Sequence, residues 1–470
     1  ARHAAMPDVP AARFQSSNGT LDAVFQLTAH SALFASQEQF VDTPTREKGA
    51  FLGDGMNDSL TTMHAFGEQN VTWQALHDFA NSQARYWPDG RINAVYPNGD
   101  GARDIPDGTV AYPDWLWQYY LETGDRTTLA ALYPVVARVA DYVWRAVDPA
   151  TGLVTRLPGG SDEYLYGIVD WPPAMRYGYD MQTVARTTLN DLAVNVFDRV
   201  SQMAVLLGRG DEAAAARNRR GAVTNAINAR LTRPDGIYID GLEADGSQST
   251  HASQQANALA LAFGVVPVDR VAAVGAYVSH LGIALGPING LTLLRALHDA
   301  GRDTDMARIL SDRKHPGWAH ILAQGGTFTW ESWTPSDLEG DSMSHGWGSS
   351  ALVAFQEVLL GITPRPAAGA VGGPTFDITP PAGGVTHVGG RIPTIAGSID
   401  LGWQRDGRHL TLELALPPNA GAQLHLPART VGAVTEHGRP VTKASGVHVD
   451  GAANGIVTVT IGAGSYTFRT

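Results

Sequence analysis

The 470-residue chain carries a formal net charge of −12, with 44% hydrophobic and 17% charged residues. It is longer than one ordinary domain. Its acidic balance argues against nucleic acid as the main partner, because phosphate binding needs a basic face. It has no cysteine, which removes disulfides, thiolate metal sites and thiol nucleophiles. Neutral ligands such as sugars stay open, and 11 Trp and 14 Tyr suit them.

Residues 1–20 read as an extended segment. Its start, "ARHAAMPDVPAARF", lacks an apolar signal core. The expectation is a secreted chain whose signal has been removed, slightly ahead of a cytoplasmic one. No apolar run reaches bilayer-spanning length, so no membrane partner is expected.

Residues 21–363 read as helices in pairs. "LDAVFQLTAHSALFASQEQF" (21–40) has helical spacing, with Asn18 or Thr20 as its cap. A helix over "NDSLTTMHAFGEQN" follows, with Asp58 as its candidate cap. In 127–147, Leu129, Leu132, Val136, Val139, Val143 and Val147 mark one face. Helices over 187–208 and "DEAAAARNRRGAVTNAINARL" come next, then "STHASQQANALALAFG", "DRVAAVGAYVSHLG" and "GPINGLTLLRALHDAG". "SSALVAFQEVLLG" closes the series at Gly361. Paired helices separated by loops rich in Gly, Pro, Trp and Asp suggest a closed two-layer ring, with an open solenoid as the alternative. Near residue 364 helical spacing stops, and residues 364–470 alternate in short runs between turn signals, as in an antiparallel β-sandwich.

Two loops carry candidate chemistry. In "DTPTREKGAFLGDG" (42–55), Pro44, Gly49 and Gly53 argue against one continuous helix, so the segment should fold back and gather Asp42, Glu47 and Asp54. Clustered carboxyls raise at least one pKa, and such a carboxyl can donate a proton to a leaving oxygen. Arg46 would keep a neighbour ionised or grip a hydroxyl, and Phe51 offers a flat face to a sugar ring. The plainer alternative has Asp54 to Asp58 capping a helix and Arg46 paired with Asp42 at the surface; on physical grounds the two readings stand level.

The second loop is "GGTFTWESWTPSDLEGDSMSHGWGSS" (325–350), where Glu331 lies between Trp330 and Trp333, with His345 and Trp347 beyond. An acid among indoles suits carbohydrate, although such tryptophans also serve as core. Together the loops supply the two carboxyls that glycoside hydrolysis needs. Asp107, Tyr112, Asp114, Trp115, Asp170, Trp171 and Tyr177 lie in further loops that would open onto a common bowl. No spacing demands a metal, and no cofactor motif is present.

These motifs carry a resemblance. "DTPTREKGAFLGD" resembles the D-C-P-x-R-E-x-x-G-W-x-G-D signature of inverting α-L-rhamnosidases, and "DGRINAVYP…IPD", "YYLETGD", "STHASQQANALALAFG", "GGTFTWESW" and "SHGWGSS" follow in that family's order. The terminal β-sandwich is similar as well. The resemblance implies a mainly α fold, an (α/α)6 barrel followed by a small antiparallel β-sandwich, and hydrolytic removal of terminal α-L-rhamnose without metal or cofactor. By the same resemblance Glu47 matches the general acid and Glu331 the general base. Asp42, Arg46 and Asp54 match residues that hold sugar hydroxyls, and His345 matches a sugar-contacting histidine. Trp115 and Trp171 match the aromatic wall, and Trp330 flanks the base. Phe51 stands where the family usually has tryptophan, and Thr43 replaces its cysteine. Family members carry large N-terminal β-domains, so a chain beginning near the barrel would be a minimal or processed form. Inversion implies carboxyls roughly 6.5–9.5 Å apart. Rival readings are a polysaccharide lyase using Tyr112, Tyr177 or His345, and a non-catalytic sugar-binding protein.

Overall fold

The structure, a computed structural model, describes residues 12–99, 101–176, 178–336, 340–366 and 374–470. Residues 1–11 of the expected extended segment and Tyr177 lie outside the described residues, as do positions 367–373 of the Pro/Gly-rich stretch.

Long helices alternate between two layers. The inner layer is Leu52–Phe66, Pro106–Thr123, Thr187–Leu206, Gln254–Ala262, Gly290–Asp299 and the helical run 351–360. Each packs on the next, and the last returns to Leu52–Phe66, so the ring is closed. Gly19–Ala35, Asn70–Tyr86, Arg126–Arg145, Gly210–Arg230, Val271–His280 and Asp303–Ser311 form the outer layer. Burial follows the layers. Thr187–Leu206 is buried over most of its surface, whereas Gly210–Arg230 buries only Ala213, Ala216, Val223 and Ile227.

Local chemistry sets the helix ends. Asn18 accepts the Thr20 N–H at 3.1 Å, Asp125 accepts the Thr128 N–H at 3.0 Å, and Ser253 accepts the Ala256 N–H at 3.1 Å. Gly67 ends its helix in the left-handed region that only glycine enters freely. Two expectations are corrected. The second helix starts at Leu52, not near Asn57, so Asp58 is no cap but a fully buried residue of its second turn. Asn70–Tyr86 and Asp303–Ser311 are absent from the sequence reading because polar residues dilute their narrow apolar stripes.

The sandwich begins directly after Gly361 with the strand Ile362–Arg365. Among the described residues its sheets have seven and five strands, antiparallel except where Thr375–Ile378 runs parallel to Gly421–Pro427. The strand Arg13–Ser16, from the far end of the sequence, pairs with His387–Thr394 at the edge of the larger sheet. Its Phe14 ring stacks on Phe25 at 5.5 Å and meets Phe355 edge-on at 4.9 Å, joining sheet, outer helix and inner ring. The Trp403 indole adds a hydrogen bond to the Leu359 carbonyl at 3.0 Å.

A cavity of about 950 Å³ follows the barrel axis, along Asp107, Ala111, Asp114 and Gln118 of one inner helix. Because Phe14 joins three elements, Phe14→Ala should lower unfolding stability by about 3–5 kcal/mol. Urea unfolding checks this, and a loss below about 1 kcal/mol would contradict the role given to the N-terminal strand.

Candidate active site

Loop 42–51 is a closed turn. The Asp42 N–H donates to the Gly49 carbonyl at 3.0 Å, and the Gly49 N–H returns to Asp42 Oδ1 at 2.8 Å. Within it the buried Thr43 hydroxyl accepts the backbone N–H groups of Arg46 (3.2 Å) and Glu47 (3.1 Å). That single hydroxyl fixes the two residues that carry the charge. A Cβ on Gly49 would lie 2.5 Å from the Phe51 ring, so glycine is what lets this ring fold across the loop onto the cavity wall. The helix then starts at Leu52, and its first turn carries Asp54 into the barrel mouth.

The segment 328–332 is irregular, held where the Glu331 N–H donates to the Ser342 carbonyl at 2.8 Å and the His345 N–H to the Thr329 carbonyl at 2.9 Å. Glu331 faces the cavity and is tied down on both oxygens. Oε1 accepts the Trp171 indole N–H at 3.0 Å, while Oε2 accepts the Ser342 N–H at 2.7 Å and lies 3.0 Å from Arg46 Nη2. Trp330 faces away, into the core over Gly326.

The same Arg46 nitrogen lies 3.8 Å from Glu47. The nearest oxygens of Glu47 and Glu331 are therefore at most about 7 Å apart, the reach of two contacts of 3.8 and 3.0 Å on one nitrogen. Residues 284 positions apart in the chain share one cation across the cavity mouth. Their settings differ sharply: the Glu47 side chain is 52% exposed and that of Glu331 only 6%.

Electrostatics separates the carboxyls further. Burial alone would raise the Glu331 pKa, but the Arg46 hydrogen bond, helped by Ser342 and Trp171, outweighs it and holds the group below the ordinary glutamate value. Asp42 goes the other way. Burial first, then the neighbouring Glu47 carboxyl, push it up to about 7. Burial and the neighbouring acids hold Asp54 and Asp58 well above the usual carboxylate range. His345 stacks on Trp347 at 3.9 Å, and burial lowers its pKa to about 3. Its Nδ1 is 3.4 Å from Asp54 Oδ1, a polar contact of a neutral imidazole rather than an ion pair. Among the described residues no group of three or more His, Asp or Glu side chains could hold a metal ion.

The fold thus brings Asp42, Arg46, Glu47, Phe51, Asp54, Trp171, Glu331 and His345 to one cavity. Two expected members are absent and are corrected. Trp115 is fully buried between Phe79 and Tyr112, because the inner helix that carries it is packed on every side. Trp330 is core, its ring packed against Gly326 rather than lining the cavity. Trp347, noted in the sequence beside His345, also lines the cavity. Others enter that the sequence did not single out: Tyr164 lines the cavity and stacks on Trp171 at 6.0 Å, and Asn57 and Asn289 line it too. Trp347 was legible as the partner two residues beyond His345; the others lack a local signal.

Residues 10–356 match the sequence model of the bacterial alpha-L-rhamnosidase 6 hairpin glycosidase domain, and residues 372–439 that of the bacterial alpha-L-rhamnosidase C-terminal domain. An alpha-L-rhamnosidase of Streptomyces avermitilis is 26% identical over 454 residues, 91% of this chain and 39% of the relative. One from an Alteromonas species is 24% identical over 364 residues, 74% of this chain and 36% of the relative. A solved structure of the Streptomyces avermitilis alpha-L-rhamnosidase complexed with L-rhamnose shares the fold, with a TM-score of 0.78 at 21% identity over 98% of this chain and 42% of that one. The chain spans less than half the length of these relatives. The match over residues 10–356, on a closed ring of six helical hairpins, establishes that this chain belongs to the bacterial α-L-rhamnosidase six-hairpin glycosidase family.

Proposed function

We propose that this chain hydrolyses terminal α-L-rhamnosides with inversion, Glu47 acting as general acid and Glu331 as general base. The observation that carries this reading is the shared Arg46 guanidinium, which sets an exposed carboxyl and a buried, ionised one on either side of the same opening. A terminal sugar entering the cavity would place its leaving oxygen outward, towards Glu47, and its far face inward, towards Glu331. Glu47, on the exposed side, would give its proton to the leaving oxygen. Glu331, kept ionised and held by three donors, can take a proton from a water poised at the anomeric carbon. Phe51 and Trp171 offer apolar faces to the ring, while Arg46, Asp54 and His345 offer polar groups to its hydroxyls.

The lyase reading has less support. Tyr112 is fully buried, donates its hydroxyl to the Leu76 carbonyl and has its pKa driven up by burial. His345, its pKa lowered to about 3, is too weak a base to abstract a carbon-bound proton.

A panel of aryl glycosides tests the reading, with release of the phenol and free rhamnose expected from the α-L-rhamnoside. Glu331→Gln should lose about 10²–10⁴-fold in kcat for every leaving group, because the water still needs a base. Glu47→Gln should lose comparably on a phenol of high pKa and much less on a dinitrophenyl rhamnoside, whose leaving group needs no proton. Equal losses on both substrates in Glu47→Gln would reject the acid assignment.

The pH profile gives a second test. Glu331 must be ionised and its pKa lies below 4.5, so the acid limb of kcat/KM should fall below that value. A second titration is that of Asp42 itself, raised to about 7 chiefly by burial, so activity should change as pH rises through about 7. Asp42→Asn removes this group and should abolish that change; an unaltered profile near pH 7 would contradict its assignment to Asp42.

A further inference from the structure

The base Glu331 depends on a donor whose own placement is unexplained by substrate binding. Trp171 gives its indole N–H to Glu331 from the irregular segment 165–172, between the 3-10 turn Asp162–Tyr164 and the one-turn helix Pro173–Arg176. That loop contains an unusual backbone: Val169 has φ of 64°, a left-handed conformation that β-branched residues avoid. Such strain persists only where the surroundings over-determine it.

The surroundings do so here. The Asp107 carboxylate accepts the N–H groups of Ile168 (2.7 Å) and Val169 (3.1 Å). Asp170 is fully buried and accepts four N–H donors: Trp171 at 3.0 Å and Asn289 at 3.0 Å on Oδ1, Gln255 at 2.7 Å and Gly286 at 2.8 Å on Oδ2. Asn289 also donates to the Val169 carbonyl at 3.2 Å. At Gly286 a Cβ would lie 2.2 Å from the Trp171 carbonyl, so the chain there passes as close to this loop as glycine permits. Gln255 comes from an inner helix, and Gly286 and Asn289 from the segment leading into the next one. The loop is thereby pinned to two neighbouring hairpins of the ring.

We propose that Asp170 is a positioning residue of the hydrolytic site: by gathering four N–H donors from three parts of the chain it holds the strained turn that aims the Trp171 indole at Glu331. The proposal rests on the reading of Glu331 as the base. Asp170 touches no reacting atom; it acts through Trp171, so its effect should vanish once Trp171 cannot donate.

A double-mutant cycle tests this. Asp170→Asn turns an amide NH2 towards N–H donors, and Trp171→Phe removes the indole donor while keeping an aromatic face. Each single variant should lower kcat/KM by about 10–100-fold, mainly in kcat, and the double variant should fall no more than about 2-fold below Trp171→Phe. Losses that multiply, or near-normal kcat/KM in folded Asp170→Asn, would overturn the proposal, because a purely architectural residue would act independently of Trp171. The indole ¹H–¹⁵N signal assigned by its disappearance in Trp171→Phe gives a readout free of turnover: it should shift in both Asp170→Asn and Glu331→Gln. A signal unmoved in Asp170→Asn also overturns the proposal. If Asp170→Asn does not fold, Asn289→Ser, which removes a donor from both Asp170 and Val169, goes through the same cycle. Should the wild-type chain turn over no glycoside, the hydrolase reading fails, while the indole signal still tests whether Asp170 orients Trp171 on Glu331.

Discussion

The Arg46 guanidinium is where the two halves of the site meet. One nitrogen lies within 4 Å of both Glu47 and Glu331, and the same side chain hydrogen-bonds the Gly340 carbonyl of the loop that closes over Glu331. Without that cation a buried Glu331 would have burial as its dominant influence and would tend to take up a proton. With it, the deep carboxyl is held below the ordinary glutamate value. Two glutamates of identical chemistry are set in different surroundings, one exposed and one buried on the same cation, as a proposed acid and base require. Arginine suits the place because its planar fork stays charged when partly buried and reaches several acceptors at once.

The barrel makes this arrangement stiff. The loop around Arg46 is closed on itself through Asp42, Thr43 and Gly49, and its side-chain and backbone ties to the second loop run through Thr45 with Ser344 and through Gly346 with Asp42. Trp171 approaches from a third hairpin, fixed by Asp107 and Asp170. Every group touching Glu331 is thus carried by a segment anchored elsewhere in the ring. A closed ring has no free end to relax, so small displacements of one hairpin are resisted by its neighbours. The buried acids Asp42, Asp54 and Asp58 are the cost of this compactness: burial and mutual repulsion keep them above the usual carboxylate range.

Much of this was legible in the sequence, and the reasons for the misses are specific. Helix pairing was readable where a helix such as Arg126–Arg145 carries a clear apolar stripe, and unreadable at the outer helices Asn70–Tyr86 and Asp303–Ser311, whose stripes polar residues dilute. The loops around Glu47 and Glu331 stood out because acids among glycines, prolines and indoles have no role in a regular element. The start of the helix at Leu52 was hidden by Gly53, which read as a breaker but is tolerated in the first turn. Trp115 misled because an inner helix is buried all round, so an aromatic residue on it gives no clue to which side it faces. Trp330 misled for a simpler reason: adjacency in sequence to a site residue does not fix the side to which a ring turns, and this one lies in the core. The Asp170 hub was out of reach, since its partners Gln255, Gly286 and Asn289 are more than 80 residues away and share no local pattern with it.

The geometry bounds the Glu47–Glu331 separation from above, at the near end of the range that leaves room for an attacking water. Stereochemistry therefore carries the most direct test of the claim that these two carboxyls act on opposite faces of one bond. Time-resolved ¹H NMR of an aryl α-L-rhamnoside during the first turnovers reads the anomer as it is released, before mutarotation. The β-anomer of rhamnose should appear first. First release of the α-anomer would mean that Glu331 acts as a nucleophile through a covalent intermediate, and would contradict the assignment of acid and base across an intervening water.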